Sequence, residues 1–204
     1  TTADLTDIDW NRFIEIGKDV KAKTGTYMLS GQADSPDTIM MMLQSAGASL
    51  FDEDGNPAMT DNDALKECID IYKTMVDEGI YLEVNKWDDY VTSITKGSVA
   101  GVINGNWIIA TIQGMEDTAG KWEITNMPKL IKTPNATNYS NNGGSSWYIT
   151  SNCKNKDLAI DFLKSTFAGS VELYEKILPT TGAIATYLPA GDSAAYAEPQ
   201  AYWS

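Results

Sequence analysis

The sequence predicts an α/β fold. Amphipathic helical patterns recur along the chain, and short runs rich in β-branched and aromatic residues, such as 26–30 and 99–103, lie between them. Gly, Pro, Asn and Asp punctuate the joints, which marks where each element stops.

The first helix is expected over residues 7–24. Thr6, Asp7 and Asp9 give a polar start, Trp10, Phe13, Ile14, Gly17 and Val20 share one face, and Gly25 supplies the stop. Residues 26–30, TYMLS, read as a short strand. Ser35-Pro36-Asp37 opens a second helix, with Ser as N-cap, Pro where its missing N–H costs nothing, and Asp near the positive end of the dipole. This helix continues to Ala46 and Gly47, and its Met40-Met41-Met42 run reads as adaptable core filler.

Residues 51–57 alternate Asp and Asn as a calcium loop does. However, Gly55 precedes Asn56 and position 63 is Asp, where an EF-hand needs its distal Glu, so a hairpin turn is predicted. Thr60 and Asp63 approximate a capping box ahead of the stripe Leu65, Cys68, Ile69, Tyr72, Met75 and Val76, closed by Gly79. Asp88-Asp89 start a further helix with Val91 and Ile94 inward and Gly97 at its end. Adjacent carboxylates there complement the dipole rather than form a catalytic pair.

Strands are predicted at 99–103, 122–127 and 147–150, a helix from Trp107 to Gly114, and a surface loop at 132–142. Leu158, Ala159, Phe162, Leu163 and Thr166 place a helix from residue 155, and another covers 171–178 before Pro179.

Composition narrows function. With 28 acidic against 15 basic residues the net charge is -13, and no Lys/Arg run exists, which argues against a nucleic-acid partner. There is no histidine, which removes His-dependent triads, His metal ligands and imidazole switches. No cofactor or metal is expected. Cys68 and Cys153 lack CxxC spacing, so isolated buried thiols are the favoured reading and a disulfide stays open. No apolar run approaches the roughly 20 residues needed to cross a bilayer. The start TTADLTDIDW lacks signal-peptide character, so the piece reads as soluble with any export signal removed.

The most distinctive stretch is KGSVAGVINGNW at 96–107, an apolar run that ends in Asn104-Gly105-Asn106 and presents Trp107. Together with IDWNRFIEIGKDVKAKTG, with 45–80 (SAGASLFDEDGNPAMTDNDALKECIDIYKTMVDEGI) and with GGSSWYITSNCKNKDLAIDFLKSTFAGSVELYEKILPTTGA, it resembles the extracellular solute-binding proteins of ABC importers, in the group that includes maltose-binding protein. The resemblance implies a periplasmic-binding-protein-like (type II) α/β lobe, a mixed sheet flanked by helices, incomplete relative to the two-lobe fold. Residues 1–143 would be the second lobe, 144–185 the hinge strand and helices that normally pack on the first lobe, and 186–204 a return to the second.

The function implied is not enzymatic. The resemblance implies capture of a carbohydrate, an oligosaccharide by preference, in an interlobe cleft and delivery to ABC permease subunits. The protein would be extracellular, lipid-anchored at the cell surface or periplasmic, and would touch the membrane only through a lipid anchor on the full-length protein. Peptides and polyamines stay open as ligands, and the fragment is expected to self-associate or fray at the segment from Asn155 to Leu178. The alternatives are a glycan-active enzyme, which needs two acids about 5–10 Å apart, and a carbohydrate-binding surface adhesin.

In the family pattern Trp107 lies on the cleft floor, where an indole can support the C–H face of a sugar while Asn104 or Asn106 offers donor and acceptor. The rival reading has Trp107 cap the core. Gly143 and Gly144, with Ser145, match a hinge-side loop that lets ligand approach the main chain. Trp147 is either a contact or buried. Gln32, Asp34 and Ser35 fall in a polar loop after the first strand, and Trp203, in Ala201-Tyr202-Trp203, resembles a late aromatic position.

Overall fold

A computed structural model of the chain describes residues 1–197 and 202–203, and its first helix starts later than the pattern suggested. Helix α1 (Trp10–Thr24) is capped by Asp9, whose carboxylate accepts the Arg12 N–H at 2.9 Å. Asp7 has φ 56°, a left-handed value that keeps it out of the helix. Gly25, at φ 75°, ends the helix by donating to the Lys21 carbonyl, as a left-handed C-terminal glycine does. Gly17 lets α1 sit close to its neighbours, since a Cβ there would fall 2.7 Å from Met28 Cγ.

The chain groups into two units, Thr1–Asn104 with Glu123–Asn142, and Gly105–Trp122 with Gly143–Ser204. In the first, β1 (Leu29–Gln32) pairs in parallel with β2 (Tyr81–Val84), from Leu29 opposite Tyr81 to Gln32 opposite Val84. Among the described residues the sheet is thus two-stranded and parallel, and antiparallel pairing is confined to a single bridge, Phe51 with Pro57. Residues 26–30 were the expected strand, but Tyr27 instead bridges Val99, and the ladder shifts to Leu29–Gln32. The predicted strand at 99–103 is only this bridge. Ala100 and Gly101 donate to the carbonyls of Tyr27 and Met28 before the segment diverges.

Helix α2 (Asp37–Ser45) begins after Pro36, and Ser35 Oγ accepts the Asp37 N–H at 3.2 Å instead of capping a deeper turn. Met41 and Met42 are buried, in keeping with a core role for the methionine run. The hairpin turn at 51–57 forms around Asp52, whose carboxylate accepts the N–H groups of Asp54 and Asn56. The Asn56 donors hold that carboxyl below the usual range.

Helix α3 (Asp63–Asp77) is capped by Asn62, not Thr60. The Asn62 side chain accepts the Leu65 N–H and donates to the carbonyls of Ser49 and Ala58. Cys68 and Met75 are fully buried, Ile69 is exposed, and Glu67 points inward with them. Helix α4 (Trp87–Thr95) buries Tyr90, Ser93 and Ile94 and keeps Asp88 and Asp89 in its first turn.

Residues 122–127 form no strand. Nearby backbone partners are Lys129 with Ile8 and Trp10, and Met127 with Asn138, so pairing is confined to the far side of the segment.

In the second unit, the turn Asn106–Ile108 leads into α5 (Ile109–Gln113), which buries Ile112. Residues 147–150 have strand composition but no ladder among the described residues, and a strand exists only with a neighbour to bond. Helix α6 (Lys156–Ser165) has no buried residue, and Leu158 and Phe162 are exposed. Helix α7 (Val171–Thr181) continues past Pro179 because only the last turn is affected. Ser170 caps it and Gly182, at φ 65°, closes it.

Both thiols are free, Cys68 buried and Cys153 half-buried, which removes the disulfide alternative. Burial pushes the Cys68 thiol up to about 12. Among the described residues no helix is long and apolar enough to cross a membrane.

Candidate functional site

Parallel strands in open α/β sheets hold ligands outside their carboxyl ends. In the first unit the residues after β1 and β2 border a depression that is open to solvent. Its walls come from the end of β1, the first turn of α2, the start of α4 and the segment that ends at Asn104. None of the described residues that line it is lysine or arginine.

The polar groups here are ordered by one another. The Thr38 and Tyr81 hydroxyls lie 2.7 Å apart. Gly31 permits this crossing, since a Cβ at that position would fall 1.9 Å from Tyr81 Oη. Asn104 donates through Nδ2 to Tyr90 Oη at 2.9 Å and accepts through Oδ1 from Asn142 Nδ2 at 2.7 Å. Burial raises the Tyr81 phenol to about 12 and shifts that of Tyr90 upward, so both remain neutral hydroxyls at physiological pH. Trp87 contributes an indole that is 42% exposed, its ring 5.3 Å from that of Tyr90. Hydroxyls and amides around a partly open indole suit a polyhydroxylated ligand.

Of the residues singled out from sequence, Asn104 lines this depression, while Asp34 is exposed in the loop after β1 and is not among the lining residues; its neighbours Gln32 and Ser35 are. Sequence reading missed Trp87, Tyr90, Asp37 and Asn142. The available signal was Ile80-Tyr81-Leu82 after Gly79, a strand whose recognition would have placed Trp87 just beyond its carboxyl end.

In the second unit Trp107 sits in the turn ahead of α5 and is 37% exposed, between the buried Gly105 and Ile108. Gly143, at φ 141°, passes beside it, and a Cβ there would lie 3.4 Å from Trp107 Nε1. Gly144 and Ser145 are exposed. Asn106 is half-buried, its carbonyl so close to Gly182 that a Cβ on the glycine would fall 2.7 Å away. Trp147 is not buried; it stacks on Phe167 with ring centroids 4.7 Å apart and is 65% exposed.

Trp203 is half-buried, edge-on to Tyr202, whose hydroxyl donates to the carbonyls of Ile112 and Met115. Ala201 of that motif, like 198–200 and 204 of the expected return segment, lies outside the described residues. Among the described residues no cluster could hold a metal ion.

Comparisons with known proteins agree with this architecture. A lactose-binding protein of Rhizobium radiobacter is 40% identical over 200 residues, which is 98% of this chain and 47% of that protein. An arabinooligosaccharide-binding protein of Halalkalibacterium halodurans is 25% identical over 163 residues, 76% of this chain and 35% of its own. The chain therefore spans half or less of the length of the curated relatives it matches.

Among solved structures, the GacH receptor of Streptomyces glaucescens, described unliganded and with acarbose, superposes with a TM-score of 0.73 at 17% identity, covering 95% of this chain and 50% of that one. The sugar-binding protein MalE from Xanthomonas citri gives 0.71 at 15% identity, covering 97% of this chain and 50% of that one. The fold is thus that of the maltose-binding-protein-like binding proteins, of which this chain covers about half. Residues 3–202 match the model of the bacterial extracellular solute-binding proteins, and the chain belongs to that family.

Proposed function

We propose that this chain is part of the extracellular substrate-binding component of an ABC transporter, which captures a carbohydrate, an oligosaccharide by preference, and delivers it to permease subunits. The observation that carries the reading is 40% identity to a lactose-binding protein across nearly the whole chain. The polar, cation-free depression beside Trp87 supports it chemically. In this reading the protein is not an enzyme, and its membrane contact runs through a lipid anchor on the full-length protein. Residues 1–143 and 186–204 belong to the second lobe, and 144–185 supply the hinge strand and the helices that rest on the first. Closure is driven by contacts that exist only in the closed state.

The contacts proposed are Trp107 first, then Asn104 and Asp34 of the first unit, and Asn106, Gly143, Gly144, Ser145, Trp147 and Trp203 of the second. A thermal-shift panel of oligosaccharides on the full-length protein tests the ligand class, because a ligand bound only by the native state raises the melting temperature. Trp107→Ala is expected to weaken sugar binding at least tenfold while the circular dichroism spectrum is retained. Unchanged calorimetric affinity would remove Trp107 from the site.

The exposed Leu158 and Phe162 of α6 lead to a further expectation for the 204-residue chain alone, which is self-association through that helix or fraying of it. Sedimentation should show species above the monomer, or hydrogen exchange should show poorly protected α6 amides. A monomer whose α6 amides are fully protected against exchange would contradict it.

A further inference from the structure

We infer that the depression of the first unit selects uncharged sugars over acidic or phosphorylated ones, with Trp87 as the ring platform and Asp37 as the acceptor that enforces the choice. The inference rests on the carbohydrate-binding reading above and goes past it by naming the electrical character of the ligand and two residues that set it.

Among the described residues the lining carries one formal charge, the Asp37 carboxylate, in a chain whose net charge is -13. Recognition of a carboxylate or phosphate depends on charge-assisted donors, above all the guanidinium fork or an ammonium. This lining offers neither. An anionic sugar would give up its hydration to face a carboxylate of the same sign, with only neutral amides and hydroxyls around it. A neutral sugar meets the opposite situation, because an ionised carboxylate only accepts and sugar hydroxyls donate.

The surrounding groups are set for the same exchange. Asn104 donates to Tyr90 Oη and is itself held by Asn142, so the amide orientations are fixed by the network. Tyr90 receives that bond, which directs its own proton to a different acceptor.

Trp87 is the first residue of α4, just past β2. Its ring lies at 40° to that of Tyr90, which is buried at 5% exposure, so the indole leans on a fixed neighbour. A sugar's C–H face can lie on the exposed part of such a ring.

Calorimetry on the full-length protein tests this, with lactose and raffinose as neutral probes and digalacturonate and lactose phosphate as acidic ones. Wild type is expected to bind a neutral probe at least tenfold more tightly than its acidic counterpart. Trp87→Ala and the apolar but ring-free Trp87→Leu should each lose at least tenfold for the neutral probe, whereas Trp87→Phe, which keeps a ring, retains most of the affinity. Asp37→Asn should narrow the gap between neutral and acidic probes severalfold.

Neutral binding that survives Trp87→Leu, acidic probes that bind as tightly as neutral ones, or a gap unchanged by Asp37→Asn would overturn the inference and leave the carbohydrate reading intact. Binding of a polyamine such as spermidine with no sugar bound, or no binding by any probe, would overturn both.

Discussion

Replacing Trp10 by alanine is expected to lower the unfolding free energy by about 3–5 kcal/mol, the range for removing a large aromatic from a packed interior. Trp10 is fully buried, meets Phe13 edge-on with ring centroids 5.4 Å apart, and begins α1 at the point where its N–H donates to the Lys129 carbonyl. The substitution therefore empties the place where the first helix and the 129 segment converge. Its indole nitrogen is buried with no hydrogen-bond partner among the described residues, so the ring contributes through packing alone.

A second variant follows from that detail. Trp10→Phe loses volume but strands no partner, and is expected to cost about half as much or less. Urea denaturation followed by far-ultraviolet circular dichroism measures both. Equal losses for phenylalanine and alanine would mean that the ring nitrogen has a partner after all.

The helices were readable because each carries a local signature. α1 shows its apolar face and its terminal Gly25, and α3 shows a stripe that ends at Gly79, so type and extent follow from residues near in sequence. Starts were less readable, since several polar residues compete to cap. Asp9 prevails over Thr6 because Asp7 is left-handed, and Asn62 prevails over Thr60 because its amide also ties down Ser49 and Ala58.

Strands failed in both directions for one reason, that a strand needs a partner from elsewhere in the chain. Residues 147–150 have the composition without the ladder, while Tyr81–Val84 gains one by lying beside Leu29–Gln32.

The site divides along the same line. Asn104 and Trp107 stood out because Asn-Gly-Asn-Trp is a local motif. Trp87, Asp37 and Asn142 border one depression only because the parallel pairing brings the ends of β1 and β2 together; Ile80-Tyr81-Leu82 marks a strand ahead of Trp87, but its partner β1 lies far away in sequence. Whether each of these residues touches ligand is decided by substitution, not by pattern.

Glu67 is the clearest case of a residue whose role local pattern conceals, and Glu67→Ala is expected to cost about 2–4 kcal/mol of stability. The apolar stripe of α3 gives no reason to turn a carboxylate inward, yet Glu67 is 5% exposed beside Cys68. Its Oε1 accepts the backbone N–H groups of Ile131 and Lys132 at 2.8 and 2.9 Å, and Oε2 accepts the Thr133 hydroxyl at 3.0 Å. The carboxylate thus replaces a strand partner for a segment that has no ladder of its own, and three donors converge on one acceptor-only group. Alanine leaves two main-chain donors to water or to nothing. Glutamine keeps an oxygen for both N–H groups and turns its amide to the Thr133 hydroxyl, which can accept, so Glu67→Gln should retain most of the stability. Urea denaturation gives the free energies, and hydrogen exchange at Ile131 and Lys132 gives the location, with faster exchange expected in the alanine variant and near-native exchange in the glutamine one. Native stability and native exchange in Glu67→Ala would show that the 131–133 segment is held by packing against α3 rather than by this carboxylate.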